Sequence, residues 1–341
     1  MSNHSEPTDG SCDTPPVDLH RRYVALGLTT AAALASLPAR AAHPFPAGPI
    51  RIVVPNAPGT ASDNYGRLVG NELGKRLAVP VIVENRVGAE GRIAARYLVT
   101  TPPDGQTLFL GTTSTHAVNP VMFKSNGYDP LKDMTTIALL SRNYSALCVP
   151  DSSPIRDYRD LVAAARASAG RMNMGGGTSS IAIATRAFLS QAGLDMLYVP
   201  YKSSAAALTD LIAGRLDVMF VDLSNGIGQI RASSIRALAT TGASRLASLP
   251  PSIPTVQELG VTGFQLSGWS VLAAPSGLAP ALVDRLNALV HEILSEPEVA
   301  QHFTSNGSEI VFMPPAEAND FVQAETRRWA EMMARSGINP E

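Results

Sequence analysis

From Pro49 onward the chain alternates short β-branched runs with longer segments whose apolar residues recur at helical spacing. Ile50 to Val54 (IRIVV) reads as a buried strand stopped by Pro55. Ser62 to Leu77 then carries Tyr65, Leu68, Val69, Leu73 and Leu77 along one helical face. The same change of period predicts strands at 79–83 and 107–110 with a helix at 93–99 between them. In the second half it predicts strands at 147–149, 172–174, 196–199, 218–221 and 235–240, and helices at 155–167, 181–192 and 205–213. Three more helices follow at 280–294, 297–305 and 315–335. Strands alternating with helices of this length imply βαβ units and parallel pairing. There is no short-period repeat and no low-complexity linker, so two compact lobes joined by short crossings fit best. The crossings fall at 138–149 and 266–274. A discontinuous first lobe (42–142 plus 267–341) and a second lobe (143–266) result.

Residues 1–20 are polar and lack apolar periodicity. Arg21 and Arg22 precede an apolar stretch from Tyr23 to Leu37, followed by Pro38-Ala39-Arg40-Ala41. A positive start, an apolar run too short to span a membrane and a small-residue site read as an export signal over 1–41, cleaved near Ala41. The competing reading is an Ala-rich amphipathic helix of the mature domain. The Arg pair allows twin-arginine export, which Tyr23-Val24-Ala25 follows only loosely, so the export route stays open. Removing this segment would take Cys12 away and leave Cys148, in an apolar run, as a core thiol.

Composition narrows the partners. The 341 residues are 45% hydrophobic, 16% charged and 6% aromatic, with a formal net charge of -2. Burying a large core is no difficulty. Neither the charge balance nor the few aromatics suit nucleic acid.

In parallel sheets, ligands sit beyond the carboxyl ends of the strands. The first such loop, Pro55-Asn56-Ala57-Pro58-Gly59-Thr60-Ala61-Ser62-Asp63, opens a helix whose free amides suit an anion. On the residues alone it reads first as an ordinary turn capped by Ser62 or Asp63. The loop Gly111 to Pro120 offers Thr112, Thr113, Ser114 and Thr115, either as ligand donors or as helix caps. His116 within it has no visible catalytic partner and reads as a structural imidazole. In the second half, Gly175-Gly176-Gly177-Thr178-Ser179-Ser180 opens another helix but lacks a Walker ending and a GxGxxG pattern. Tyr198 to Ser204 and Phe220 to Asp222 end two more strands. Lys202 is either a ligand contact or a solvated side chain.

Catalytic signatures are missing. There is no GxSxG elbow, and His291-Glu292 lacks the second His of a zincin helix. The six His and two Cys have no metal-ligand spacing. The expectation is no catalytic residue, no metal and no cofactor.

Ordered motifs carry a resemblance. They are PIRIVVPNAPGTASD (Pro49 to Asp63), VIVENRVGAEG (Val81 to Gly91), PDGQTLFLG (Pro103 to Gly111), NP (Asn119, Pro120) and YDPLKD (Tyr128 to Asp133). VPYK (Val199 to Lys202), IRALATT (Ile235 to Thr241) and IPTVQELG (Ile253 to Gly260) complete the set. From Phe45 to the C-terminus the chain resembles the substrate-binding proteins of tripartite tricarboxylate transporters, the Bug family. The resemblance implies an α/β, type II periplasmic binding fold, with two lobes of mainly parallel sheet around a central cleft. It implies a monomeric periplasmic receptor that closes on a small carboxylate (di- or tricarboxylate, amino acid or aromatic acid) and delivers it to membrane transporter subunits or a sensor. The implied ligand-binding residues are Pro58, Gly59, Thr60, Ala61 and Asp63, with Thr113, Ser114, Thr115 and His116. From the opposite lobe come Gly177, Thr178, Ser179, Tyr201, Lys202 and Asp222. The chain departs from the family pattern at Thr60, Glu90 and Ser203, where Gly is usual, and near Ile183, where His is common. Two alternatives stand beside this reading: a hydrolase-like α/β enzyme acting on a small carboxylate with the same loops, and a binding module of another transporter type.

Overall fold

The computed structural model describes residues 1, 2, 4, 45–305, 307–335 and 338–340. Met1–Pro44 and Phe45–Glu341 are separate units, and the described strands and helices belong to the second. The expected export signal lies outside the described residues apart from 1, 2 and 4, as does Cys12. No described helix is long and apolar enough to cross a membrane.

In chain order the elements are β1 (Ile50–Val54), α1 (Ala61–Leu77), β2 (Val81–Asn85), α2 (Arg92–Val99), β3 (Thr107–Thr112), α3 (Asn119–Met122) and β4 (Met134–Pro150). Then come α4 (Tyr158–Ser168), β5 (Asn173–Gly176), α5 (Ser179–Ala192), β6 (Leu197–Pro200), α6 (Ser204–Ile212), β7 (Val218–Asp222), α7 (Leu223–Arg231) and β8 (Ile235–Thr240). The chain ends with β9 (Ser267–Pro275), α8 (Pro280–Ser295), α9 (Pro297–Ser305), β10 (Ser308–Met313) and α10 (Pro315–Arg335).

The strand order is β2-β1-β3-β9-β4-β7-β5-β6, with β8 and β10 also paired to β4. β1 runs parallel to β2 and β3, and β5 runs parallel to β6 and β7, as the βαβ pattern predicts. The crossing strands make the sheets mixed. β9 is antiparallel to β3 and β4, and β4 is antiparallel to β7, β8 and β10. β4 is therefore shared: its first half completes the first set of strands and its last residues the second.

Period-two burial explains why this sharing is stable. Leu147 and Val149 enter one core with Val218, Phe220 and Phe188, while Ala146 and Cys148 enter another with Met219 and Val221. Alternate side chains of a strand point to opposite faces, so both faces of β4 and β7 are covered. Cys148 is buried here, and burial pushes its thiol above the ordinary range. The first set of strands is likewise covered twice. Ile50, Ile52 and Val54 pack with Tyr65, Val69 and Leu73 of α1, and Val53 and Phe109 with Ala94 and Leu98 of α2. Trp329 and Met333 of α10 join the core that holds Phe188 and Trp269.

Candidate functional site

The strand-end loops face one another across a cleft of about 430 Å³. Of the residues expected at the site, Thr60, Ala61, Thr113, Ser114, Gly177, Thr178, Lys202 and Asp222 line it. Pro58, Gly59, Asp63, Thr115, His116, Ser179 and Tyr201 do not. Each of these seven sits close by in sequence, and most have a visible local task.

Asp63 organises the first loop. Its carboxylate accepts the Gly59 N–H at 2.9 Å, Asn85 Nδ2 at 2.9 Å and Arg67 Nε at 3.1 Å. Burial raises its carboxyl pKa, but the hydrogen bonds from Arg67, Gly59 and Asn85 outweigh it, so the group stays below the usual carboxylate range. Gly59 adopts φ 80°, the left-handed region that glycine enters without strain, and spends its amide on Asp63. The amide one step inside the helix, Ala61 N–H, reaches across the cleft to Asn225 Oδ1 at 3.1 Å.

The hydroxyl loop divides by direction. Thr113 and Ser114 line the cleft. Thr113 Oγ1 accepts the Trp269 N–H at 2.9 Å, tying the loop to β9. Thr115 turns inward, and its Oγ1 accepts Thr112 N–H at 2.9 Å and lies 3.0 Å from His116 Nδ1. His116 is 1% exposed, with its ring 5.8 Å from Phe109 and 6.2 Å from Trp269. A Cβ on Gly111 would come within 1.9 Å of that ring, so the bare glycine backbone makes room for it. Burial drives the imidazole pKa down to about 3, which keeps it neutral.

The second-lobe wall is built from helix starts. Thr178 Oγ1 caps α5 by accepting Ile181 N–H at 3.3 Å, and Ser203 Oγ caps α6 by accepting Ala206 N–H at 3.2 Å. Their loops touch: a Cβ on Gly177 would lie 2.0 Å from the Ser203 carbonyl carbon. Ser179 is inside the helix end, donating Oγ–H to Asn119 Oδ1 at 3.0 Å. Tyr201 donates to Asp210 Oδ2 at 3.0 Å, away from the cleft lining. Asp222 caps α7, with Oδ1 accepting from Ser224 N at 3.0 Å and Ser224 Oγ at 2.5 Å. Burial raises the Asp222 carboxyl pKa, with the Ser224 bonds opposing it. Lys202 forms no ion pair with any described residue.

Reading strand-end loops one by one misses several lining residues. Asn56, Glu90, Asn143, Ser145, Asn225 and Trp269 all face the cleft. Asn56 belongs to the first loop, and Glu90 is one of the departures from the family pattern. Asn143 and Ser145 lie within β4 and Asn225 within α7, where the sequence pattern predicts no strand and no helix. Among the described residues no group of three or more His, Cys, Asp or Glu could hold a metal ion. The site therefore offers hydroxyls, amides, one lysine and two carboxylates.

Comparison with known proteins agrees with this architecture. Residues 66–338 match the profile of the tripartite tricarboxylate transporter family receptor. The protein BugT of Bordetella pertussis is 28% identical over 94% of this chain and 99% of its own. Among solved structures, R. palustris Rpa4515 with adipate is 31% identical, covers 87% of this chain and 100% of its own, and superposes with a TM-score of 0.83. MatC from Rhodopseudomonas palustris with bound malate is 28% identical, covers 84% and 99%, and gives 0.78. The chain belongs to the tripartite tricarboxylate transporter receptor family, the Bug-type substrate-binding proteins, which are receptors and not enzymes.

Proposed function

We propose that this protein is a periplasmic receptor that captures a small carboxylate by lobe closure and delivers it to a tripartite tricarboxylate-type transporter or a sensor. The lobes are 42–142 plus 267–341 and 143–266, with β4 and β9 as the crossing strands, and the protein acts as a monomer. One observation carries the reading: hydroxyl and amide donors from strand-end loops of both halves converge on one cleft of about 430 Å³. That arrangement suits an acid group held mainly by neutral donors with Lys202 as the one cation lining the cleft, and the adipate and malate in the two structural relatives support the class. Thr60, Thr113 and Ser114 on one side and Thr178 and Lys202 on the other are the contacts we assign to it.

The energetics require closure. Three hydrogen bonds to a charged group contribute about 1.5–3 kcal/mol each, and helix ends up to about 2 kcal/mol. A micromolar complex needs about 8.2 kcal/mol after the cost of association. Excluding water from the cleft supplies the remainder by strengthening each contact.

The test is thermal denaturation of the purified protein against a panel of di- and tricarboxylates, amino acids and aromatic acids. A ligand of the folded state at about 100 times its Kd stabilises by about 2.7 kcal/mol. One acid should raise the melting temperature and be recovered chemically unchanged by mass spectrometry. A panel with no shift, or conversion of the acid, would end the proposal.

A further inference from the structure

We infer that Glu90 makes this cleft selective for ligands with a single acid group, by placing the protein's own carboxylate where a second ligand acid would bind. The inference rests on the carboxylate-receptor reading above and narrows it to a ligand class.

Glu90 belongs to the short turn Ala89–Gly91 on the β1–β3 side of the cleft and is exposed to it. Its Oε2 accepts the Ser179 N–H at 2.8 Å, the first amide of α5 on the opposite side. Helix-start amides have no partner within the helix and are the groups that hold anions in many sites. Here one of them is already taken by an acid from the chain itself. The placement is over-determined. Glu90 has φ 58°, a left-handed conformation uncommon for a residue with a Cβ. Its carbonyl accepts Asn119 Nδ2 at 2.9 Å, and Asn119 Oδ1 accepts Ser179 Oγ–H at 3.0 Å. One asparagine thus fixes both the turn and the helix end that Glu90 joins. A backbone held in a costly conformation by its surroundings marks a side chain whose position matters.

Charge counting gives the same direction. Among the described residues the ionisable groups lining the cleft are Glu90, Lys202 and Asp222. Two carboxyl side chains thus share the cleft with a single lysine. A diacid brings one more like charge beside Glu90 than a monoacid does, and like charges at close range disfavour the ionised forms. A repulsive element of this kind rejects one ligand class without improving the fit of another.

Dissociation constants for three monoacid–diacid pairs, hexanoate and adipate, butyrate and succinate, benzoate and terephthalate, test this by titration calorimetry. The proteins are the wild type, Glu90→Gln and Glu90→Gly. Gln retains an acceptor for Ser179 N–H and removes only the charge. Gly suits the left-handed backbone, so a folding defect is not expected in it. The wild type should bind the monoacid of at least one pair tenfold or more tightly than its diacid. Glu90→Gln should tighten diacid binding at least tenfold while monoacid binding stays within threefold. A wild type that prefers diacids, or variants with an unchanged preference, would overturn the role of Glu90 and leave the receptor reading intact. Failure of all six acids to bind any of the three proteins would overturn this inference, while the receptor reading stands or falls on the wider thermal-denaturation panel.

Discussion

His116 couples a packing decision to pH. The buried ring stays neutral down to about pH 3, whereas in the unfolded chain it protonates near 6.5. Below 6.5 the unfolded state binds the extra proton, so stability falls as pH drops and is fully present above 6.5. At about 1.4 kcal/mol per unit, this one group costs roughly 2–3 kcal/mol by pH 4.5. His116→Asn should lose roughly 1–3 kcal/mol at pH 7 through poorer packing, yet decline roughly 2 kcal/mol less than wild type between pH 6.5 and 4.5. Urea titrations at both pH values measure the difference, and equal slopes would assign the acid sensitivity to other groups. Nothing in the linear pattern around His116 distinguishes a ring facing a ligand from one facing Phe109 and Trp269. Adjacent residues of a helical turn point in different directions, so Ser114 and His116 part company within two positions.

The helix starts do two jobs, and α5 is where they can be separated. Thr178 lines the cleft and also caps α5. Thr178→Ala should destabilise the protein by about 1 kcal/mol, and Thr178→Ser should restore that stability. Chemical denaturation reads the cap, and an affinity that falls in Ala but recovers in Ser would report a ligand hydroxyl contact as well. Elements with strong local patterns are legible in the amino-acid order alone. β8, α9 and α10 match their predicted limits, and α1 begins one residue earlier. Elements held by distant partners are not. β4 runs for 17 residues but reads as a strand only at its apolar end, because Ser141, Arg142 and Asn143 interrupt the pattern. Its pairing to β9, β7, β8 and β10 makes it a strand despite them. α7 escapes notice for a related reason: Gly226 and Gly228 weaken its helical propensity. Asp222 caps it, and a Cβ on Gly226 would fall 2.1 Å from Val221, so close packing accounts for that glycine.

At the scale of the whole molecule, the cleft is bridged by direct hydrogen bonds. Ala61 N–H meets Asn225 Oδ1, Ser114 Oγ meets Ser180 Oγ at 3.3 Å, and Ser179 meets both Glu90 and Asn119. Any ligand that favours the closed form gains from these bonds, since binding shifts the population toward the state it prefers. Asn225→Ala removes one bridge and leaves Thr60, Thr113, Ser114, Thr178 and Lys202, the contacts assigned to the ligand, in place. A hydrogen bond contributes about 0.5–1.5 kcal/mol, so affinity should weaken roughly two- to tenfold, with the melting temperature of the free protein nearly unchanged. Calorimetry with the acid identified by thermal shift measures it, and unaltered affinity would mean that closure does not depend on this bridge.

The α/β class, most element positions and the loops flanking the cleft follow from local periodicity and turn chemistry, because backbone preference and amphipathic burial act over a few residues. Which of those loop side chains face the cleft was settled by contacts distant in sequence: Asp63 turned to Asn85, His116 into the core, Glu90 across to Ser179. Each of these choices depends on what another segment presents at close range, and a linear pattern carries no record of that neighbour.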